Sequence, residues 1–113
     1  MKKQNIVKKS KDFNTIIKKR NGKSNNYFII NKDKNSENIS KFGITFIKHI
    51  GNAVTRNKIK RRIKSIIDNN KVYEKGYSYI IIAKKTVLDL KYNEMEKELI
   101  NLFNKLKGEY YEK

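Results

Sequence analysis

The chain has no cysteine, no proline and no tryptophan, a single histidine and only 11 acidic residues among 113. Without cysteine there is no disulfide framework and no thiolate metal site. The one histidine, His49, lacks the partners that an imidazole metal site or an acid–base pair requires. Acids are dispersed: Asp12, Asp33, Glu37, Asp68, Glu74 and Asp89 fall on different predicted elements, and Glu94, Glu96 and Glu98 alternate along a helix without converging. A nuclease whose protein holds its own metal needs converging carboxylates, so no catalytic group and no metal ligand is assigned to the chain. Long apolar runs are missing too. The longest, Ile80–Ala83, is far too short to span a bilayer, and nothing resembles a secretion signal. A cytoplasmic protein with no membrane partner and no small-molecule substrate is the expectation.

What the chain has in excess is positive charge: 28 Lys and Arg give a net charge of +17. Abundant lysine, isoleucine and asparagine fits biased coding, but such drift would scatter the lysines. Residues 56–64 instead gather Arg56, Lys58, Lys60, Arg61, Arg62 and Lys64, and arginine is the better bidentate phosphate ligand. The cluster sits in residues 48–67, KHIGNAVTRNKIKRRIKSII. At about 100° per residue, Ile59, Ile63, Ile66 and Ile67 share one stripe of a helix. Asn57, Lys60, Arg61 and Lys64 fall opposite, and Arg56 emerges where the helix begins. A surface helix neutralised from within would alternate Glu and Lys at i,i+4; here no carboxylate intervenes before Asp68. The missing counter-charge is expected from phosphates, which makes nucleic acid the predicted partner. Membrane-surface binding would need the isoleucine stripe, which the core claims.

One domain, residues 1–113, suits this length. Residues 1–9 read as a mobile basic arm with Ile6 and Val7 as its anchor. A first helix starts at a Ser10 cap, buries Phe13, Ile16 and Ile17, and ends at Asn21-Gly22. Residues 22–26 are open between a loop and a short edge strand. Tyr27–Asn31 reads as a strand, Lys32–Lys41 as a polar connection, and Phe42–Lys48 as a strand with Phe42, Ile44 and Phe46 on one side. Those two strands are expected to pair antiparallel. The basic helix follows from Ala53 to Asn69, then an interior strand over Tyr77–Lys84, a polar turn, and a helix with Tyr92, Met95, Leu99, Leu102, Phe103 and Leu106 on one stripe, ending near Gly108. The fold class is α+β: a sheet of three to four strands packed with helices in the order α-β-β-β-α-β-α.

KHIGNAVTRNKIKRRIK resembles the signature of the protein subunit of bacterial ribonuclease P: a Lys-rich strand end, a Gly-Asn-Ala-Val turn, then Arg-Asn and spaced basic residues. Asp12-Phe13 upstream and Ile80–Lys85 downstream occur in matching order. The resemblance thus covers most of the chain, most weakly at residues 31–40 and past 107. It implies a left-handed crossover at the basic helix, where the general rule gives the right-handed one. It implies RNA binding by Lys48, His49, Arg56, Asn57, Lys58, Lys60, Arg61, Arg62 and Lys64. It further implies a groove for the single-stranded 5′ leader of precursor tRNA. Phe13 and Ile17 would line it from the first helix, Phe28 or Ile30 and then Thr45 and Ile47 from the strands, with Lys84 and Lys85 beyond.

Aromatic stacking suits single strands because every base has a π-face. Ile17 and Ile30 stand where the family often has aromatics, whereas Phe13 keeps the aromatic. Lys84-Lys85-Thr86 stands for the family's Arg-Lys-Pro, and His49 for a second lysine. The implied activity is removal of the leader, with the chemistry carried by a catalytic RNA and its Mg2+ and the protein alone inert. Composition by itself leaves a second reading, a general or ribosome-associated RNA-binding protein without an enzymatic assembly.

Overall fold

A computed structural model describes residues 5–7, 22–47 and 50–108. The helix expected after Ser10, with Phe13 and Ile17, lies outside these residues, as do Lys48 and His49. In chain order the described elements are β1 (Gly22–Ser24), β2 (Phe28–Lys34), β3 (Lys41–Phe46), α1 (Ala53–Asn70), β4 (Tyr77–Ala83), a 3-10 helix (Lys85–Asp89) and α2 (Tyr92–Gly108). The class is α+β, as the sequence indicates. No helix among the described residues is long and apolar enough to cross a membrane.

The four strands form one mixed sheet in the order β1-β2-β4-β3. β4 runs antiparallel to β2 and parallel to β3, so its Ile80-Ile81-Ile82 run is interior, as expected. The expected pairing of β2 with β3 is wrong. β4 lies between them, because a strand apolar on both faces is worth most where it has neighbours on both edges. One smaller correction follows from the register: β2 continues through Lys32 to Lys34, paired with Tyr79 to Tyr77. Gly22 opens β1; a Cβ there would lie 2.5 Å from the Ile30 carbonyl, so only glycine fits this approach. Residues 5–7 lie along β3, where Ile6 and Val7 are expected to anchor the chain: Ile6 bridges to Phe42, the Val7 N–H donates to the Phe42 carbonyl at 2.9 Å and Asn5 Nδ2 to the Ser40 carbonyl at 2.6 Å.

Alternation assigns each face of the sheet. Phe28, Ile30, Phe42, Tyr79, Ile81 and Ala83 face the helices and meet Ile59, Ile63, Ile66 and Ile67 of α1 and Met95, Leu99, Leu102, Phe103 and Leu106 of α2. The 3.6-residue spacing of both apolar stripes is what turns these helices onto the sheet. Burying each isoleucine of α1 stabilises the fold by roughly 2 kcal/mol. Tyr79 is the centre of this layer, stacked on Phe42 at 5.6 Å and edge-on to Phe103 at 5.3 Å, and its hydroxyl accepts the Glu74 N–H at 2.9 Å. On the opposite face Val7 packs on Ile80, with Ile82 beside them.

Candidate nucleic-acid interface

α1 is built from its first turn. Gly51 takes φ +59, a left-handed conformation that a side chain would strain, and a Cβ would also press on Thr55 at 3.1 Å. That turn sets Asn52 as the N-cap, its Oδ1 accepting the Thr55 N–H at 2.9 Å. Arg56 folds back so that Nη1 donates to the Gly51 carbonyl at 3.1 Å. This is why Arg56, angularly on the isoleucine side, marks the start of the helix. At the far end Lys71 caps the helix in the left-handed region, its N–H donating to the Ile67 carbonyl at 2.9 Å. The C-terminal half is fastened to α2 by a Ser65–Tyr92 hydroxyl bond at 3.0 Å and by Asn70 Nδ2 donating to Glu96 Oε2 at 3.0 Å.

The basic side chains occupy the remaining surface. Asn57, Lys58 and Arg61 are exposed; Arg56, Lys60, Arg62 and Lys64 are half-buried along the flanks. Lys60 reaches toward β3, its ammonium 6.0 Å above the Phe46 ring. Among the described residues none of the six cations forms an ion pair; the salt bridges there join Lys32 to Glu74 and Lys41 to Glu37. The first turn of α1 also carries no acid, although a helix N-terminus has a partial positive charge that favours one. Dipole and side chains thus add to one positive field over the first three turns of α1, with no acid of the helix before Asp68. That arrangement suits an external polyanion.

The groove residues divide. Phe28 and Ile30 are 0 % exposed, in the layer between sheet and helices, and cannot line a groove. Their neighbours can. Ile29 pairs with Ile82 and Ile82 with Thr45, forming a partly exposed row across β2, β4 and β3 on the face away from α1 and α2. Thr45 lies on this face, and Ile47 follows it at 41 % exposure, its N–H donating to the Ala83 carbonyl at 3.0 Å. Ile29 and Ile82 were missed because Tyr27-Phe28-Ile29-Ile30 and Ile80-Ile81-Ile82 are unbroken apolar runs, which carry no alternation to fix their facing. Lys84 and Lys85 separate as well. The Lys84 ammonium donates to the Asn25 carbonyl at 2.7 Å, whereas Lys85 is exposed. Among the described residues no three His, Asp or Glu side chains gather where they could hold a metal.

Comparison with known proteins agrees with this geometry. Residues 1–107 match the family described as Ribonuclease P. A ribonuclease P protein component of Bacillus mycoides is 37% identical over 107 residues, 93% of each chain. One from Streptococcus pneumoniae is 42% identical over 103 residues, 90% of this chain and 84% of that one. Among solved structures, a Staphylococcus aureus RNase P protein mutant with defective mRNA degradation activity superposes with a TM-score of 0.85 at 31% identity, covering 93% of this chain and 90% of that one. The RNase P protein of Thermotoga maritima gives 0.80 at 29% identity, covering 88% and 94%. These matches set aside a general or ribosome-associated RNA-binding protein. The chain belongs to the ribonuclease P protein family, and so to the tRNA-processing endoribonuclease in which such a protein joins an RNA subunit.

Proposed function

We propose that the chain binds two RNAs through opposite faces of one sheet. α1 lies against phosphates of the catalytic RNA, with Arg56, Asn57, Lys58, Lys60, Arg61, Arg62 and Lys64 as its contacts and Lys48 and His49 extending them. The row Ile29, Ile82, Thr45 and Ile47 receives the single-stranded 5′ leader of precursor tRNA, with Lys85 near it and with Phe13 and Ile17 as the further contacts that the family resemblance implies. One observation supports this reading above the others: six cations on α1 have no ion pair among the described residues. Neutralising two RNAs that repel one another is what such a surface can supply, since each phosphate contact releases condensed counterions.

The Mg2+ on which the chemistry depends does not fit the described side chains, whose candidate ligands nowhere gather in threes. We place it on RNA oxygens, consistent with its preference for phosphate and water ligands. The protein then supplies binding and orientation in a cytoplasmic ribonucleoprotein, and the RNA supplies the reaction.

The test is reconstitution. Nuclease-treated protein, free of RNA, should not cut precursor tRNA at any Mg2+ concentration. Added to a cognate ribonuclease P RNA, it should restore cleavage at low Mg2+, where the RNA alone is poor. Site-specific cutting by the RNA-free preparation, abolished by one carboxylate substitution, would overturn the assignment of chemistry to RNA.

A further inference from the structure

Val54 is 75 % exposed, against 42 % for Leu88 and 41 % for Ile47, the other large apolar side chains left in water among the described residues. Singly exposed apolar residues are ordinary on a monomer; the surroundings of this one are not. It lies in the first turn of α1, two residues after the Asn52 cap. Asn57, Lys58 and Arg61 follow at i+3, i+4 and i+7, so all four stand on one outward row, and all four are exposed. The four isoleucines of α1 point the other way into the core. No staple across the first turn covers Val54 either, because the residues flanking the cap, Gly51 and Ala53, are small and themselves exposed.

A polyanion lying along this row on Lys58 and Arg61 also passes Val54, one turn before Lys58. An RNA strand presents more than phosphate: the carbon faces of its ribose and of an unstacked base lie within a few ångströms of the backbone it is gripped by. We infer that Val54 packs against the ribose or base face of a nucleotide whose neighbouring phosphates bind Lys58 and Arg61. This makes it an apolar contact inside an otherwise electrostatic interface. The inference rests on the proposed docking of α1 on the RNA subunit and adds a contact that salt does not screen. Such a contact adds to the positioning of the helix along the strand, since non-specific electrostatic binding by itself allows sliding.

The consequence is a separable signature. Phosphate contacts weaken with salt, each contributing about one unit to the slope of log K against log salt. Loss of an apolar contact lowers affinity equally at every salt concentration. The experiment titrates the intact protein against its cognate ribonuclease P RNA across a salt series, with Val54→Ala, Val54→Thr, Lys58→Ala and Arg61→Ala. Alanine is the better helix former and threonine keeps the branched shape, so neither valine variant weakens the helix much. Val54→Ala is expected to lose affinity by up to about tenfold, the effect of exposing two methyl groups, with an unchanged slope. Val54→Thr should lose part of that. Lys58→Ala and Arg61→Ala should flatten the slope. Wild-type affinity in both valine variants, or a slope altered by Val54→Ala, would overturn the Val54 contact while leaving α1 on the RNA. Unaltered slopes in both cation variants would instead remove α1 itself from the interface, and the Val54 contact with it.

Discussion

The ammonium of Lys84 sits 2.7 Å from the backbone carbonyl of Asn25 and is directed into the turn between β1 and β2. The same residue's N–H donates to the Tyr27 carbonyl at 2.9 Å, and the Asn25 side chain accepts the Tyr27 and Phe28 N–H groups at 2.8 Å each. Lys84 thus ties the exit of β4 to that turn. Lys84→Met should lower unfolding stability by about 1 kcal/mol, the worth of a charge-assisted hydrogen bond at a half-buried site. Lys85→Ala, one residue on, should leave stability unchanged and weaken precursor tRNA binding in a salt-dependent way. Chemical unfolding of both variants, with binding measured alongside, checks the division. Equal stability losses would erase it.

The two faces of the sheet separate stability from recognition. Phe28→Ala removes a fully buried ring and should cost about 3–5 kcal/mol, with the same proportional loss of binding for leader-bearing and mature tRNA at partial unfolding. Ile47→Ala, at an exposed position, should cost little stability and weaken binding of the leader-bearing precursor selectively. A variant at Ile47 that binds both tRNAs as wild type does would take the row across β2, β4 and β3 out of leader recognition.

Legibility in the sequence followed periodicity. α1 and α2 have clean helical stripes, and both were placed to within a residue or two of their observed ends. β3 alternates, so Thr45 and Ile47 were assigned to the side they occupy. Where the chain is apolar without a break, as at residues 27–30 and 80–82, period gives no phase, and Phe28 and Ile30 were placed on the wrong face. Strand order was equally hidden. Whether β3 pairs with β2 or with β4 depends on the path of α1 across the sheet, which no local pattern in residues 41–83 encodes. The six cations were legible for a different reason: absence of acids is itself a pattern.

Electrostatics gives a third prediction. Log affinity for the RNA subunit should fall linearly with log salt, and Lys60→Ala should flatten that line by about one unit if it contacts a phosphate. Lys60 also stands over the Phe46 ring, so Lys60→Arg, which retains charge and stacks on aromatics, should restore the slope. An unchanged slope in Lys60→Ala, with affinity lost equally at every salt concentration, would mean that the lysine acts through packing alone.

Asn52 offers a sharper separation of fold from function. Asn52→Ala removes the cap on the Thr55 N–H and should cost about 1 kcal/mol. Asn52→Asp keeps the cap and adds a negative charge where the helix dipole favours it, so stability should hold or rise. RNA affinity should nevertheless fall, because the new carboxylate supplies from within the counter-charge that phosphate otherwise provides. Unfolding and RNA titration on the same two proteins measure both effects; an aspartate variant with undiminished affinity would place the N-terminus of α1 away from RNA.

The position of β4 sets a timetable for synthesis. It lies between β2 and β3 in the sheet yet is the last of the four strands in sequence. As the chain leaves the ribosome, β2 and β3 wait unjoined until residue 83 has emerged, and α2, which closes over the isoleucines of α1, comes later still. Among the described strands, the three-residue β1 can find its partner β2 early, and residues 5–7 can find β3. Pairings of long sequence separation form slowly, so from the completion of α1 at Asn70 until β4 is in place the nascent chain holds a cationic amphipathic segment beside ribosomal RNA with its isoleucines uncovered. Release of that segment is then driven by completion of the sheet: the last strand to be made also withdraws the isoleucines from competing surfaces and leaves only the basic side free to choose an RNA.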